Sequence, residues 1–193
     1  MIWVRLICVC FSILWLVGCA SSGQSRSDSN RELQRNSQRA AELTQQASML
    51  IETDPAQAME LLRQAVEADL FHGPAHNDIG VLLLNQGDLY GAAEEFDWAR
   101  RLMPGHPDPR LNLGIALERG GKTQDALDAY ASANEVYPNY LPAMQAITRL
   151  QLRSGNVDDS THTMLQAIAF RAQEPWKSWA IKRLAKVQVE FND

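Results

Sequence analysis

Cysteine is confined to the first 19 residues of this 193-residue chain, at Cys8, Cys10 and Cys19. The remainder therefore holds no disulfide and no thiol nucleophile. Other marks of catalysis are missing too. No serine sits in a Gly-x-Ser-x-Gly elbow, and the glycines form neither Gly-x-Gly-x-x-Gly nor a phosphate loop. Histidine occurs four times. His72 and His76 are four apart, but Gly73-Pro74 between them breaks any helix long enough to set both on one metal. His106 lies in a proline-rich turn and His162 among threonines. The acidic pairs Glu94-Glu95 and Asp158-Asp159 are sequence neighbours, which on a helix point about 100° apart and form a solvated face. The chain has 18 basic and 23 acidic residues with no basic cluster, which excludes a nucleic-acid surface. No segment alternates apolar and polar residues long enough for a strand. These absences lead us to expect an all-α protein that is not an enzyme, with no metal, no cofactor and no small-molecule substrate.

What is present begins with an apolar run, Leu6 to Val17, behind the single positive charge of Arg5. It is shorter than the ~20 residues of a permanent membrane helix and reads as an export signal over residues 1–18. The run ends in Leu16-Val17-Gly18-Cys19. That tetrapeptide resembles the lipobox of bacterial lipoproteins, in which the cysteine receives diacylglycerol and becomes the new N-terminus. The resemblance implies lipidation at Cys19 and a membrane anchor of more than one acyl chain. Ala20 stands where an aspartate would favour the inner membrane, so the implied location is the periplasmic face of an outer membrane. Residues 19–30 hold no aliphatic side chain larger than alanine and are expected to form a flexible tether.

Beyond the tether, small residues recur every 34 positions. Ala58, Ala92, Ala126 and Ser160 keep this step, as do Ala65, Ala99, Ala133 and Ala167, and Gly87, Gly121 and Gly155. Gly80 pairs with Gly114 and Pro104 with Pro138 in the same way. The register divides residues 31–173 into four units at about 39–72, 73–106, 107–140 and 141–172. Asp54-Pro55-Gln57 supplies an N-cap, a first-turn proline and a capping-box partner, and Asp108-Pro109 repeats the first two. Gly87-Asp88, Gly120-Gly121 and Gly155-Asn156 end the first helix of their units.

The pattern resembles the tetratricopeptide repeat. The second unit shows it as His76, Ile79, Gly80, Leu83, Ala92, Phe96, Ala99 and Pro104, and the third as Arg110, Leu113, Gly114, Leu117, Ala126, Tyr130, Ala133 and Pro138. The outer units match less fully, through Met49, Ala58, Leu62 and Ala65, and through Ile147, Gln151, Ser160, Met164 and Ala167. The implied fold is a solenoid of helical hairpins. Glu174-Pro175 then opens a terminal helix with Trp176, Trp179, Ala180, Leu184 and Val187 on one stripe, expected within residues 174–193 as a cap over the last apolar face, with a tryptophan-bearing contact to a partner or membrane as the alternative.

The resemblance also implies that first helices line a concave groove for a peptide or helix of a protein partner. Its positions here are Leu43 and Leu50, then Asn77, Val81 and Leu84, then Leu111, Ile115 and Arg119, and finally Arg149 and Arg153. Ala47, Val81 and Ile115 stand where some relatives carry polar residues that clamp a C-terminal carboxylate, so that clamp is not expected. Anchor plus repeats is similar to tetratricopeptide lipoproteins of pilus biogenesis, pilotins and Tad-type proteins among them. The implied role is a scaffold in assembly of an envelope machine such as a pilus or secretion system. An adaptor for periplasmic cell-wall hydrolases or proteases has the same layout and stays open.

Overall fold

The computed structural model describes residues 21–190, with side chains over 29–186. The export signal, Cys19, Ala20 and residues 191–193 lie outside the described residues. Among those described there are nine helices and no strand. They pair as hairpins: α1 (Ser21–Ser48) with α2 (Pro55–Ala68), α3 (Gly73–Gln86) with α4 (Leu89–Leu102), α5 (Asp108–Arg119) with α6 (Thr123–Val136), and α7 (Leu141–Ser154) with α8 (Asp159–Arg171). A ninth helix, α9 (Trp176–Glu190), packs on α8.

Local chemistry sets the boundaries. The carboxylates of Asp54, Asp88 and Asp158 accept from the backbone N–H of Gln57, Gly91 and Thr161 at 3.0, 2.9 and 2.8 Å, satisfying otherwise orphaned donors at the starts of α2, α4 and α8. Gly87 and Gly155 end α3 and α7 with φ of +85° and +75°, which a residue with a Cβ adopts only under strain. Asp108 departs from the expected cap: it is already the first residue of α5, and its carboxylate accepts from the Tyr140 hydroxyl at the next junction.

Each hairpin closes over small residues. Ala58, Ala92 and Ala126 are fully buried at the second helix, as are Ala65, Ala99 and Ala133. Gly80 and Gly114 on the first helices face aromatic rings. A Cβ on Gly114 would lie 2.4 Å from Tyr130 Cε1, and one on Gly80 would lie 2.6 Å from Phe96 Cε1. The core is a string of four clusters, each joining neighbouring helices, running from Ala40, Leu62 and Leu82 to Leu165, Ile168 and Ala180.

The structure corrects the expected tether over Ser21–Asn30, which is the start of α1. Side chains from Ser29 to Arg39 are all exposed, so burial does not hold this part. The helix is nucleated where Ala40, Thr44 and Ala47 pack, and every residue added toward the N-terminus gains one backbone hydrogen bond without needing a partner surface. In the same unit Met49 follows the last residue of α1 and is exposed, so it is not the packing residue the register suggested.

The fourth unit is also corrected. Its first helix keeps the register, but the buried residues of α8 are Thr161, Leu165 and Ile168, each one position after the Ser160, Met164 and Ala167 expected. The cause is the turn. One residue separates Gly87 or Gly121 from the following helix, whereas Asn156, Val157 and Asp158 separate Gly155 from α8. The longer turn rotates the packed face, and the capping box between Asp158 and Thr161 fixes it there.

Trp176 and Trp179 meet edge to face, with centroids 5.1 Å apart, and pack with Leu184 against Leu165, Ile168 and Ala180. The terminal helix thus covers the apolar side of α8, starting at Trp176 just after Pro175.

The glycine contacts carry a stability prediction. Gly114→Ala and Gly80→Ala each gain roughly 0.5–1 kcal/mol of helix propensity, but forcing a methyl into a ring held by a packed core costs about 1–3 kcal/mol. Both variants should melt lower than the parent. Gly105→Ala, with nothing within 4 Å, should not. Thermal unfolding followed by circular dichroism checks this, and three equal melting temperatures would mean that the rings do not hold the hairpins.

Candidate protein-binding groove

The first helices α3, α5 and α7 stand side by side, tied by side chains one repeat apart. Asn112 Nδ2 donates to Asn77 Oδ1 at 3.0 Å, Arg119 Nη1 donates to the Leu84 carbonyl at 3.3 Å, and Arg149 reaches Glu118. Val81, Leu111 and Ile115 lie half-buried on these helices, where each packs against the core and keeps part of its surface free. At the α5/α7 end the stripe enters a cavity of about 350 Å³ lined by Ile115, Glu118, Arg119, Tyr130, Arg149 and Arg153.

The cavity has a definite electrostatic order. Arg149 binds Glu118 through both nitrogens, at 2.6 and 2.7 Å, and the Tyr130 hydroxyl donates to the same carboxylate at 3.0 Å. Arg153 approaches it at 3.7 Å. The hydrogen bonds from Arg149 hold the Glu118 carboxyl below its usual range. Burial, followed by the bond to Glu118, pushes the Tyr130 phenol above its usual value.

Set beside the residues expected from sequence, the groove is partly corrected. Leu84 is 7 % exposed and belongs to the core with Phe96, because the ring it packs on lies behind the groove face. Leu50 lies in the turn after α1 and, with Leu43, packs on the first core cluster. Arg149 is engaged by Glu118 within the protein instead of standing free. Asn77, Val81, Leu111, Ile115, Arg119 and Arg153 are on the first helices with exposed or half-exposed side chains. Glu118, which joins these residues in the cavity, was not singled out by the sequence pattern. The available signal was the 31-residue separation from Arg149, one turn short of the repeat, which aligns the two across adjacent first helices.

Of the histidines that flank Gly73-Pro74, His76 is held by two partners, whereas the Nε2 of His72 is buried without a hydrogen bond. His76 is buried at the start of α3, with Nδ1 2.7 Å from Glu95 Oε2 and Nε2 3.0 Å from the Leu70 carbonyl, and it stacks on Trp98. Both neighbours are acceptors, so the arrangement is best satisfied by an imidazolium carrying two N–H groups. The hydrogen bond to Glu95 raises its pKa above 6.5. His72, just before α3, is lowered by burial.

A solenoid of helical hairpins with an apolar and cationic concave face is, as a class, a frame for holding an extended or helical segment. Residues 52–107 and 77–140 match the family model described as tetratricopeptide repeat, and the helical hairpins of this stretch follow that repeat's pattern. A PilF structure from Pseudomonas aeruginosa aligns with a TM-score of 0.69 and 16% identity, over 81% of this chain and 72% of that one. The first tetratricopeptide domain of Spaghetti, bound to the HSP90 peptide SRMEEVD, aligns with a TM-score of 0.58 and 16% identity, over 62% of this chain and 95% of that one. At such identities the likeness is one of fold. A probable peptide N-acetylglucosaminyltransferase, SPINDLY of Hordeum vulgare, is 30% identical over 96 residues, 46% of this chain, and the chain spans only 10% of that protein's length.

The His76 geometry gives a pH prediction. A folded pKa above the unfolded 6.5 means that the His76 contribution is fully present below that pH and fades as pH rises through the folded value. His72 acts oppositely, losing stability as pH falls below 6.5. Comparing the parent with His76→Gln removes the part of the His72 contribution set by burial, its first cause, and leaves only the smaller coupling of His72 to His76. The parent's advantage should be roughly 1.5–3 kcal/mol in mild acid, as for a charge-assisted hydrogen bond, and shrink at alkaline pH. Urea titrations at several pH values measure it, and a constant difference would contradict the two-donor assignment.

Proposed function

We propose that this chain is a lipid-anchored scaffold that holds a segment of a protein partner during assembly of a cell-envelope machine such as a pilus or secretion system, and that it is not itself a catalyst. One observation carries the binding part: Val81, Leu111 and Ile115 form a partly open apolar stripe along consecutive first helices and lead into a cationic cavity. Apolar side chains of a partner laid along this stripe would gain roughly 25 cal/mol for each Å² removed from water. The peptide held by the Spaghetti domain supports reading such a groove as a segment-binding site. The fold of PilF and the lipobox-like Leu16-Val17-Gly18-Cys19 support the envelope role.

The groove is tested by capture. Val81→Asp with Ile115→Asp should abolish retention of the partner taken from envelope extracts, while Tyr90→Asp, on an exposed side chain of α4, should leave it intact. Melting curves accompany each variant, and Val81→Thr with Ile115→Thr serves as a gentler pair expected to weaken retention several-fold. Undiminished capture by a folded aspartate pair would rule out the groove.

The anchor is tested separately. Cys19→Ala should leave unprocessed or soluble protein, seen as loss from the membrane fraction and loss of labelled palmitate. Normally processed, membrane-bound Cys19→Ala would remove the lipid anchor from the proposal.

A further inference from the structure

Three arginines surround one carboxylate at the α5/α7 end of the groove. Glu118, whose side chain is 13 % exposed, is gripped by both Arg149 nitrogens and by the Tyr130 hydroxyl. Arg153 lies 3.7 Å from it, too far for a hydrogen bond, with its side chain 60 % exposed. Arg119 spends one donor on the Leu84 carbonyl and has no acidic partner among the described residues. The cavity thus carries an excess of two positive charges on a chain whose net charge is −5. Most of the acidic surface repels an anionic partner, and this place attracts one.

We infer that the cavity is a receptor for a carboxylate side chain of an acidic partner peptide, with Glu118 acting as an internal occupant that already fills the Arg149 fork. This rests on the groove reading given above and specifies the chemistry of the segment it takes. Ile115 lines the same cavity, so a segment with aliphatic residues followed by Asp or Glu matches the order of apolar stripe and cationic pocket. The incoming carboxylate meets Arg119 and Arg153, whose guanidinium donors are largely unspent, and these are charge-assisted hydrogen bonds. Glu118 has two effects. It preorganises Arg149 against the Tyr130 side of the cavity, and its charge opposes the ligand. Removing that charge while keeping the shape should therefore strengthen binding.

The probe is an acetylated peptide of three leucines followed by two glutamates and a C-terminal amide, titrated into the lipid-free domain. The Nε–H signals of Arg119, Arg149 and Arg153 are followed by NMR up to about 10 mM peptide, a range that detects even millimolar affinity. Saturable shifts of Arg119 and Arg153 are expected. Affinity should rise several-fold in Glu118→Gln and fall about 10-fold in Arg119→Gln with Arg153→Gln, in keeping with lost charge-assisted contacts. Replacing the two peptide glutamates by glutamine should cause a similar loss. Both arginine positions are exposed, and a melting curve confirms that the variants are folded.

Unmoved arginine signals overturn the inference, as does weaker peptide binding by a folded Glu118→Gln. If inorganic phosphate moves the signals as strongly as the peptide does, the site is a general anion site and the peptide assignment falls. The outcomes separate the two readings. Loss of peptide binding in Val81→Asp with Ile115→Asp, but not in the arginine pair, keeps the groove and removes the carboxylate receptor. The reverse keeps the receptor and removes the apolar groove.

Discussion

Within each hairpin of the second and third units, an aromatic ring lies where a side chain of the first helix would otherwise stand. Tyr130 occupies the space over Gly114 and Phe96 the space over Gly80, both rings fully buried. Two helix axes come together only as closely as their contact residues allow. Glycine on one side and a flat ring on the other bring them near without leaving a void, and fully buried alanines flank the crossing. This close contact fixes the angle of the hairpin, and with it the direction in which the next first helix emerges. The groove, the ladder from Asn77 to Asn112 and the arginine cavity all inherit their geometry from it. Tyr130 joins the two levels directly, since its ring closes the third hairpin while its hydroxyl supports Glu118.

The fourth unit solves the same packing problem with other residues. Thr148 stands at the glycine position, fully buried, with its hydroxyl bonded to the Met144 carbonyl at 2.6 Å. On α8 the buried residue is Leu165, on a face rotated by one residue from the positions of Phe96 and Tyr130 in their units. A β-branched residue has a bulk that a ring could not overlie, so the smaller leucine and the longer turn before α8 belong together. The family match ends at residue 140, before this unit begins.

Much of this was legible because the 34-residue step reports small residues that geometry requires. The buried positions of α2, α4 and α6 follow directly from it, as do the glycine ends of α3 and α7. What the pattern could not convey was turn length, since a register of small residues counts along the chain without seeing where Gly155 stops one helix and Asp158 starts the next. Composition failed differently over Ser21–Asn30. It states correctly that the segment has nothing to bury, but helix extension from a packed nucleus needs only backbone hydrogen bonds. The groove was harder, because Val81 and Leu84 are both aliphatic residues on one helix and only their neighbours distinguish them. Phe96 lies behind Leu84 and takes it into the core.

The arginines show why charge on a solenoid must be read across repeats. An ion pair such as Glu118–Arg149, whose arginine side chain is 40 % exposed, contributes at most about 1 kcal/mol to stability after screening and side-chain ordering. Apolar packing of neighbouring units outweighs it, so the stack would persist without the pair. Its stronger consequence is positional. By holding the guanidinium of Arg149 against Glu118, it leaves Arg119 and Arg153 as the outward-facing charges at the end of an apolar stripe. The terminal tryptophans do not compete as a contact surface in the same way, since they are half-buried against α8 as part of the cap. A repeat stack that closes its last face with α9 gathers the arginines of its first helices between units three and four. That is also where the repeat pattern departs from its own regularity. Arg149 and Arg153 lie on the helix that ends at Gly155, immediately before the turn that rotates α8, so the irregular hairpin carries two of the three positive charges of the cavity.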